Sequence, residues 1–547
     1  MPTKERNFRL GPLLSSKLRV LSDVEKTRMK RTFLALSVLA AASLAHAQSA
    51  PAPVTPAAAA RFLQQASWGP TPASIAEVQS LGMAGWIDAQ IALDSTQWSP
   101  IPDPSVDAKG NTSLAPAQNA FFVNAINGRD QLRQRMAFAV GQIWVVSGVK
   151  LQAQAMVPYI RLMQTDAFTT FDKLMYDVTL SPAMGHYLDM VNNNKATPGH
   201  APDENYAREI LQLFTIGLVQ LDPWGRPLLD ANKNTIPNYD QNTIEAFARA
   251  FTGWTYAPLP GAHSRFPNPA NWDAPMVAFE ANHDMTAKTL LNGQVIPMGQ
   301  TAEMDLKDAL NNIFTHQNVA PFISRQLIQR FVSSDPSPDY VKRIADVFTA
   351  THGDLGAVIK AILLDPEARA GDDGSENQST KLREPLLWTI TLLRELGATV
   401  TSPNALTGYA SVLGQTIYYP PTVFNYFLPG YDINISATQT YNAPEFQLLG
   451  EATAESAAGI AYNLAFGKPA GVSVDYFNYV APLGTKPTND EISQMIDSLN
   501  RALLGGRMTQ AMHDAILAAC EKATSSKAMV ETAVYLIASS WDFQVQQ

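Results

Sequence analysis

The sequence predicts a mostly α, multi-helical globular protein with long ordered loops and little β. Apolar residues recur at helical spacing in many segments, as they do in 129–147. Patterns typical of strands are few, and the best candidate is the short segment 289–295. The chain is 46% hydrophobic and holds nine tryptophans, a composition that excludes a mainly disordered protein.

The predicted helices follow one another along most of the chain. Besides 129–147, they cover 204–216, 240–254, 321–332, 338–351, 355–364, 381–396, 446–464, 489–504, 509–524 and 528–539. Two segments, 221–239 and 256–285, are too long for simple connections. Their tryptophans and prolines favour ordered loops over disordered ones.

The N-terminus has the pattern of a secretory signal peptide. Met29-Lys30-Arg31 precedes an apolar stretch over 32–45, and Ala45-His46-Ala47 forms a small-residue cleavage site. We therefore expect export to the periplasm or the medium, cleavage after Ala47 and translation from Met29. A longer basic leader and an uncleaved anchor are the alternatives. The predicted organisation is an extension and signal peptide over 1–47, a Pro/Ala-rich lead-in over 48–60 and one helical domain over 61–546.

Charge and cysteine content exclude several classes of protein. The net charge is −9, and removal of the basic leader makes the mature chain more acidic, which argues against a nucleic-acid partner. The mature chain carries no predicted transmembrane helix. Cys520 is the only cysteine, so the protein has no internal disulfide and depends on its core. Its apolar neighbours predict that it is a small buried side chain rather than a reactive thiol.

Several separated motifs carry a family resemblance. The segment 203–217 reads DENYAREILQLFTIG, and 248–255 reads ARAFTGWT. Asn282-His283-Asp284 is followed by Lys288, and the chain ends near 539–544 with SSWDFQ. These pieces resemble the signatures of the bacterial domain-of-unknown-function 1800 family, over about residues 61–546. The terminal segment departs from the family pattern, because Trp541-Asp542 replaces Pro-Glu.

The resemblance implies an exported, largely helical bacterial protein. It also implies a partner, since genes of this family often neighbour those of a second uncharacterised family with a sulfatase-like fold. It supplies no reaction, so whether the protein is an enzyme must be argued from its polar residues.

Two charged residues lie within predicted apolar helices. Glu209 falls beside Ile210 and Leu213, and Arg249 lies in the apolar ARAFTGW helix. Since a buried carboxylate needs a cation, we expect Glu209 and Arg249 to touch. The pair is either a core salt bridge or part of a catalytic pocket in which the Glu209 pKa is shifted.

Histidines and neighbouring carboxylates supply the other candidates. His186 and Asp189 lie at i,i+3, and His283 adjoins Asp284. These four residues could hold a divalent metal, with His186 and Asp189 as first ligands, although no motif of metal-ligand spacing is present. Alternatively, His283 or Asp284 serves as a catalytic acid or base.

Two functions therefore remain open. The first is a hydrolase or lyase that acts on an extracellular polymer, with Glu209, Arg249, His283 and Asp284 as catalytic residues. The second is a non-catalytic accessory partner of the sulfatase-like protein. A cleft at these residues favours the first, and a closed core there with an exposed apolar patch elsewhere favours the second.

Overall fold

A computed structural model of the chain describes residues 53–375, 379–436 and 439–546. The predicted signal peptide and the N-terminal extension lie outside the described residues. From Val54 onward the chain forms one compact unit. Helices dominate this unit, so the predicted mostly α class is confirmed.

The first half of the unit contains α-helices of five to twenty residues. They are Pro56–Ala66, Pro72–Ile91, Ala115–Asn127, Gln131–Gly141, Ala153–Thr165, Phe171–Leu180, Pro182–Tyr187, Asn205–Glu209 and Gln241–Ala250. A π-helix, Ile210–Thr215, directly continues Asn205–Glu209.

The second half continues the same pattern. Its α-helices are Ala302–Phe314, Val319–Phe331, Pro338–Ala350, Leu355–Leu364, Pro366–Arg369, Pro385–Glu395, Asn404–Val412, Glu451–Ala465, Phe477–Val480, Asn489–Leu503, Gln510–Cys520, Ser526–Ser539 and Trp541–Gln544. Many begin at a side-chain cap; Thr488, for example, accepts a hydrogen bond from the Glu491 amide while Glu491 bonds back to Thr488.

The described strands are two or three residues long and form six antiparallel pairs. The pairs are Ser105–Val106 with Thr112–Ser113, Trp254–Thr255 with Val277–Ala278, Lys288–Thr289 with Val295–Ile296, Lys381–Leu382 with Val545–Gln546, Thr399–Val400 with Val472–Ser473, and Asp432–Asn434 with Thr440–Asn442. The fourth pair ties the C-terminus to the middle of the chain.

The apolar side chains form two cores. One is built from residues between 59 and 368, and the other from Trp68, residues 122–126 and residues between 386 and 543. Tyr418 packs against both cores. Cys520 is fully buried in the second core, where burial raises the pKa of its thiol to about 11, so its predicted role as a small buried side chain is confirmed.

Buried charged groups connect these cores. The Lys381 ammonium lies 3.0 Å from the Glu445 carboxylate, and both side chains are inaccessible to solvent. Glu384 accepts hydrogen bonds from the Gln142 and Gln415 amides at 2.8 and 2.5 Å. Burial lowers the pKa of the nearby Arg135 guanidinium to about 10, against the opposing effect of Glu384.

Several predicted boundaries differ from the structure, and three of them have a clear local cause. The helix expected over 129–147 ends at Gly141, although the Gln142 and Trp144 amides still bond to carbonyls four residues back. The expected 381–396 helix begins only at Pro385, because Lys381–Leu382 pairs with the C-terminal strand. Residues 56–60, expected in an extended lead-in, belong to the first helix, whose alanines favour helix and whose Thr55 caps its N-terminus.

The two long segments 221–239 and 256–285 are ordered by local hydrogen bonds. Asp222 accepts from the Trp224 and Arg226 amides, and Asp230 accepts from the Asn232 and Asn234 amides. Such side-chain to backbone bonds stabilise tight turns. In the part of the chain that the structure describes, no helix combines the length and the apolarity needed to cross a membrane.

Candidate functional site

The Asn205–Glu209 helix, hereafter the signature helix, is fixed by local polar contacts. Asp203 accepts a hydrogen bond from the Asn205 amide at 2.8 Å, and the Asn193 side chain holds the Asp203 backbone through two further bonds. Glu204 and Arg208, one turn apart, form an ion pair at 2.9 Å. Their i,i+4 spacing places the two side chains next to each other on the helix surface.

The helix changes its hydrogen bonding immediately after Glu209. Residues 210–215 form a π-helix, and the Ile216 amide bonds to the Leu211 carbonyl at 3.2 Å, five residues back. π-Helical turns are rare and occur frequently at functional sites. Nothing in the apolar sequence ILQLFT distinguishes such a turn from an α-helical one, so sequence reasoning missed it.

Glu209 occupies the last α-helical position before this change. Its side chain is 8% exposed, and its Oε2 atom has no hydrogen-bond partner. Burial raises the pKa of the Glu209 carboxyl, and the charge of Arg208 opposes the increase. A carboxyl whose pKa is raised keeps its proton to a higher pH than an exposed glutamate does, which suits a group that transfers protons.

Two tyrosines interact electrostatically with the Glu209 carboxyl. Burial and then the Glu209 charge raise the pKa values of Tyr187 and Tyr239 to about 12. The Tyr239 hydroxyl, like Glu209 Oε2, is buried without a hydrogen-bond partner. Unpartnered buried polar atoms are costly, and a ligand bound here would supply the missing bonds.

The solvent-facing side of this region is polar. Lys150 pairs with Asp189 at 3.1 Å, and Asn205 donates to the other Asp189 oxygen at 2.9 Å. Both members of the Lys150–Asp189 pair are nearly half exposed. Because Asn205 and Glu209 are one helical turn apart, they share a face of the signature helix. We name this partly exposed, partly buried group of residues the carboxyl site. It comprises Lys150, Tyr187, Asp189, Asn205, Glu209 and Tyr239.

Arg249 does not form the predicted ion pair with Glu209. Its guanidinium donates to the Thr286 hydroxyl at 2.7 Å and to the Ala287 carbonyl at 3.2 Å. The two helices do pack together, and the Tyr206 and Phe251 rings lie 5.3 Å apart. The predicted helix contact is therefore confirmed, whereas the predicted charge pairing is wrong, because Arg249 finds partners in the loop before Lys288.

His283 and Asp284 lie in a closed polar cluster. His283 Nε2 is 3.1 Å from Asp305, whose carboxylate also pairs with Lys288 at 2.6 Å. The Thr252 hydroxyl accepts from the Asp284 amide at 2.9 Å. The side chains of His283, Lys288 and Asp305 are all within 1% of full burial, so solvent does not reach them.

This cluster accounts for the spacing of the His-Asp-x-x-x-Lys motif. Lys288 Nζ also donates to the Asp284 backbone carbonyl and to that of Thr286, so the motif closes a short loop around one ammonium. The nearby Thr286 bonds and the Lys288 and Arg249 charges outweigh burial and lower the pKa of the Asp284 carboxyl. The cluster holds the loop against the Ala302–Phe314 helix, which carries Asp305.

The predicted metal ligands are not brought together. His186 Nδ1 lies 2.9 Å from the Tyr256 hydroxyl, and its ring packs edge-on against Trp272, whereas Asp189 pairs with Lys150. Burial lowers the pKa of the His186 imidazole. Among the residues that the structure describes, no three His, Cys, Asp or Glu side chains are grouped as a metal site would require.

The structure therefore joins only part of the predicted site. Asp189 accepts a hydrogen bond from Asn205, which lies one turn before Glu209 on the signature helix. Arg249 and Asp284 lie in the loop cluster with His283, and His186 packs against Trp272. Sequence reasoning missed Lys150, Tyr187 and Tyr239. Tyr187 falls between His186 and Asp189 in sequence, but no pattern indicates that it, rather than its neighbours, adjoins Glu209.

The family comparison agrees with the motifs. The family model described as "Protein of unknown function (DUF1800)" matches residues 61–545. Neither a curated protein nor a solved structure matches the chain.

Proposed function

Since this chain belongs to the DUF1800 family, whose function is unknown, we propose from its own side chains that it is an exported hydrolase or lyase acting on an extracellular polymer. The observation that carries this proposal is the Glu209 carboxyl. It is nearly buried, its pKa is raised, and one of its oxygens has no partner.

Glu209 is the proton-transferring group of the proposed reaction. A carboxyl of raised pKa protonates a leaving oxygen when it acts as an acid and removes a proton when it acts as a base. Asp189, exposed and paired with Lys150, provides a second carboxylate, which is bonded to Asn205 one turn before Glu209. Two carboxyl groups in unlike environments cleave the glycosidic bond in most glycoside hydrolases.

The remaining members of the carboxyl site bind and orient the polymer. The Tyr239 hydroxyl lacks a partner and is free to bond a substrate oxygen. Lys150 and Asn205 lie at the solvent-facing side, where a chain too large to enter the protein can still make contact. His283 takes no part in this reaction, because its ring is fully buried and bonded to Asp305.

The test is a screen of the purified mature protein against soluble polysaccharides and cell-wall polymer. New reducing ends identify hydrolysis, and unsaturated products identify a lyase. Glu209→Gln, which keeps the shape but cannot ionise, should lower kcat by at least about 100-fold with little change in KM. The matched control is Glu204→Gln at the start of the same helix, which should stay within about threefold of the wild type because Glu204 contacts only Arg208 and Gln241 at the partly exposed surface.

The dependence of the rate on pH assigns the direction of proton transfer. If Glu209 acts as an acid, kcat/KM falls as pH rises through its raised pKa; if it acts as a base, kcat/KM rises over the same range. An active wild type whose rate is unchanged by Glu209→Gln would refute the role of Glu209. A folded wild type that cleaves no polymer in the screen would count against the enzyme proposal.

A second function, accessory partner of the sulfatase-like protein, has separate support. Met285, Val295 and Met298 expose apolar side chains around the Lys288–Val295 hairpin, and Met298 is 78% exposed. Methionine-rich surfaces adapt readily to protein partners. Co-purification of the two proteins that is lost in Met298→Lys, with Lys109→Met as an exposed control, would support this function; no co-purification would refute it.

A further inference from the structure

A second site shares no lining residue with the carboxyl site. It is a cavity of about 120 Å³ between three helices, Ala115–Asn127, Gln131–Gly141 and Ala153–Thr165. The segment 416–426, named the wall segment, contributes to its lining. A cavity of roughly 150 Å³ accommodates one benzene-sized molecule, so this cavity has room for about one aromatic ring.

The lining of the cavity is apolar and carries no charged side chain. Aromatic rings of Phe121, Phe138, Tyr159 and Tyr418 face it together with aliphatic side chains and several neutral polar groups. A charged ligand would therefore lose its hydration without gaining an opposite charge. The chemistry of the lining selects a neutral molecule.

Two amide side chains in the lining have unused hydrogen-bonding capacity. Gln142 is 5% exposed and donates through Nε2 to the Glu384 carboxylate at 2.8 Å. Because a carboxylate only accepts, this bond fixes the amide orientation, and the buried Gln142 Oε1 has no partner. Asn425 is 6% exposed, and its Nδ2 also has no partner.

The wall segment is held in an unusual backbone conformation. Tyr418 and Asn425 both have φ of +68°, and a bulky non-glycine residue such as tyrosine rarely adopts this region. The Gly148 amide bonds to the Tyr418 carbonyl at 3.0 Å, and the Ser147 hydroxyl bonds to the Pro420 carbonyl at 2.7 Å. Backbone strain of this kind persists where surrounding contacts enforce it and is concentrated at ligand sites.

We propose that this cavity binds a neutral molecule about the size of one aromatic ring that carries a group able both to donate and to accept a hydrogen bond, such as a phenolic hydroxyl. The ring fills the apolar space, the polar group accepts from Asn425 and it donates to Gln142. This site is independent of the polymer reaction proposed for Glu209.

Titration calorimetry with three probes tests the ligand class. Phenol should bind the wild-type protein, benzene should bind at least about 10-fold more weakly because it leaves both amides unpaired, and benzoate should not bind because it carries a charge. No phenol binding, or equal affinity for phenol and benzene, would overturn the proposal.

Matched variants locate the binding to this cavity. Asn425→Asp keeps the side-chain shape and tolerates positive φ but loses the donor, so phenol affinity should fall at least about 10-fold. Asn404→Asp adds the same charge at an exposed position and should leave phenol affinity unchanged. An unchanged phenol affinity in Asn425→Asp would overturn the assignment of the donor.

A blocking variant gives an independent readout. Ala120→Leu enlarges a partly exposed lining residue and should abolish phenol binding while the unliganded Tm remains close to that of the wild type. Ile160→Phe blocks the cavity from another helix and serves if the first variant does not fold. Full phenol binding in a folded blocking variant would show that phenol binds elsewhere and would overturn the proposal.

Discussion

At the scale of single residues, Gly253 shows why a motif position admits no side chain. Its φ is +84°, and a Cβ placed there would lie 2.9 Å from the Cβ of His283. The Gly253 amide and carbonyl bond to Asn193 and Phe279, so the backbone cannot move away freely. The glycine of the ARAFTGWT motif therefore allows the backbone at 253 to lie directly against the buried His283.

We predict that Gly253→Ala lowers the free energy of unfolding by about 3 kcal/mol or more, through backbone strain and steric overlap. The matched control is Gly261→Ala, where φ is +79° but nothing lies within 4 Å of the added Cβ. Gly261→Ala should lower the free energy of unfolding by only about 1 kcal/mol. Urea denaturation measures both values, and equal losses in the two variants would contradict the steric explanation.

The carboxyl of Glu395, like that of Glu209, has a raised pKa. Burial raises its pKa from 4.5 to about 8, although the charges of Arg383, Arg507 and Arg394 and a bond from Gln64 act in the opposite direction. Between pH 4.5 and 8 the folded protein therefore binds one proton that the unfolded chain has released. The contribution of Glu395 to stability is complete below pH 4.5 and is lost as pH rises toward 8.

We predict that Glu395 alone lowers the free energy of unfolding by about 1.4 kcal/mol for each unit by which pH rises within that window. Glu395→Gln removes the titrating group, so the stability of the variant relative to the wild type should improve as pH increases from 5 to 8. Denaturation curves at several pH values measure the difference. A difference that does not change with pH would refute the raised pKa.

At the scale of elements, the packing partner decides where several helices end. Lys381–Leu382 leaves the predicted 381–396 helix to pair with Val545–Gln546. Its Lys381 ammonium then meets Glu445 in a site from which water is excluded. A local helical pattern cannot indicate this, because both partners are distant in sequence.

We predict that Glu445→Gln destabilises the protein by about 3–5 kcal/mol, since it leaves the Lys381 ammonium buried without its counter-charge. The control Asp346→Asn breaks the exposed Lys342–Asp346 pair and should cost at most about 1 kcal/mol. Chemical denaturation compares the two. A Glu445→Gln variant as stable as the control would show that the buried pair contributes little.

The π-helix is the element most closely connected with the candidate site. It follows Glu209 without interruption, and the Ile216 and Gly217 amides both bond to the Leu211 carbonyl. The buried side chains of Ile210, Leu211 and Phe214 are compatible with either helix type. The local sequence therefore does not distinguish the wider turn from an α-helical one.

At the scale of the whole molecule, export remains a prediction from the sequence. Expression in a Gram-negative host should yield a periplasmic or secreted protein whose N-terminal sequence begins at Gln48. Replacing Ala45 and Ala47 by bulky residues should leave the precursor uncleaved. Protein that stays in the cytoplasm with residues 32–45 intact would contradict this prediction.

The sequence by itself determined the class of fold and the motifs. Helical periodicity and capping residues act over a few neighbours, so they specify where helices such as 338–350 and 355–364 lie. The isolated Cys520 amid apolar residues likewise indicated a buried thiol. The i,i+4 pairing of Glu204 with Arg208 needed no tertiary information.

Only the tertiary structure decided which charges meet. Glu209 and Arg249 lie on packed helices, yet Arg249 bonds to the loop at 286–287, and Glu209 keeps an oxygen without a partner beside Tyr239. His283 is fully enclosed with Lys288 and Asp305. The partner of a long charged side chain depends on distances between elements remote in sequence, and local pattern carries no information about those distances.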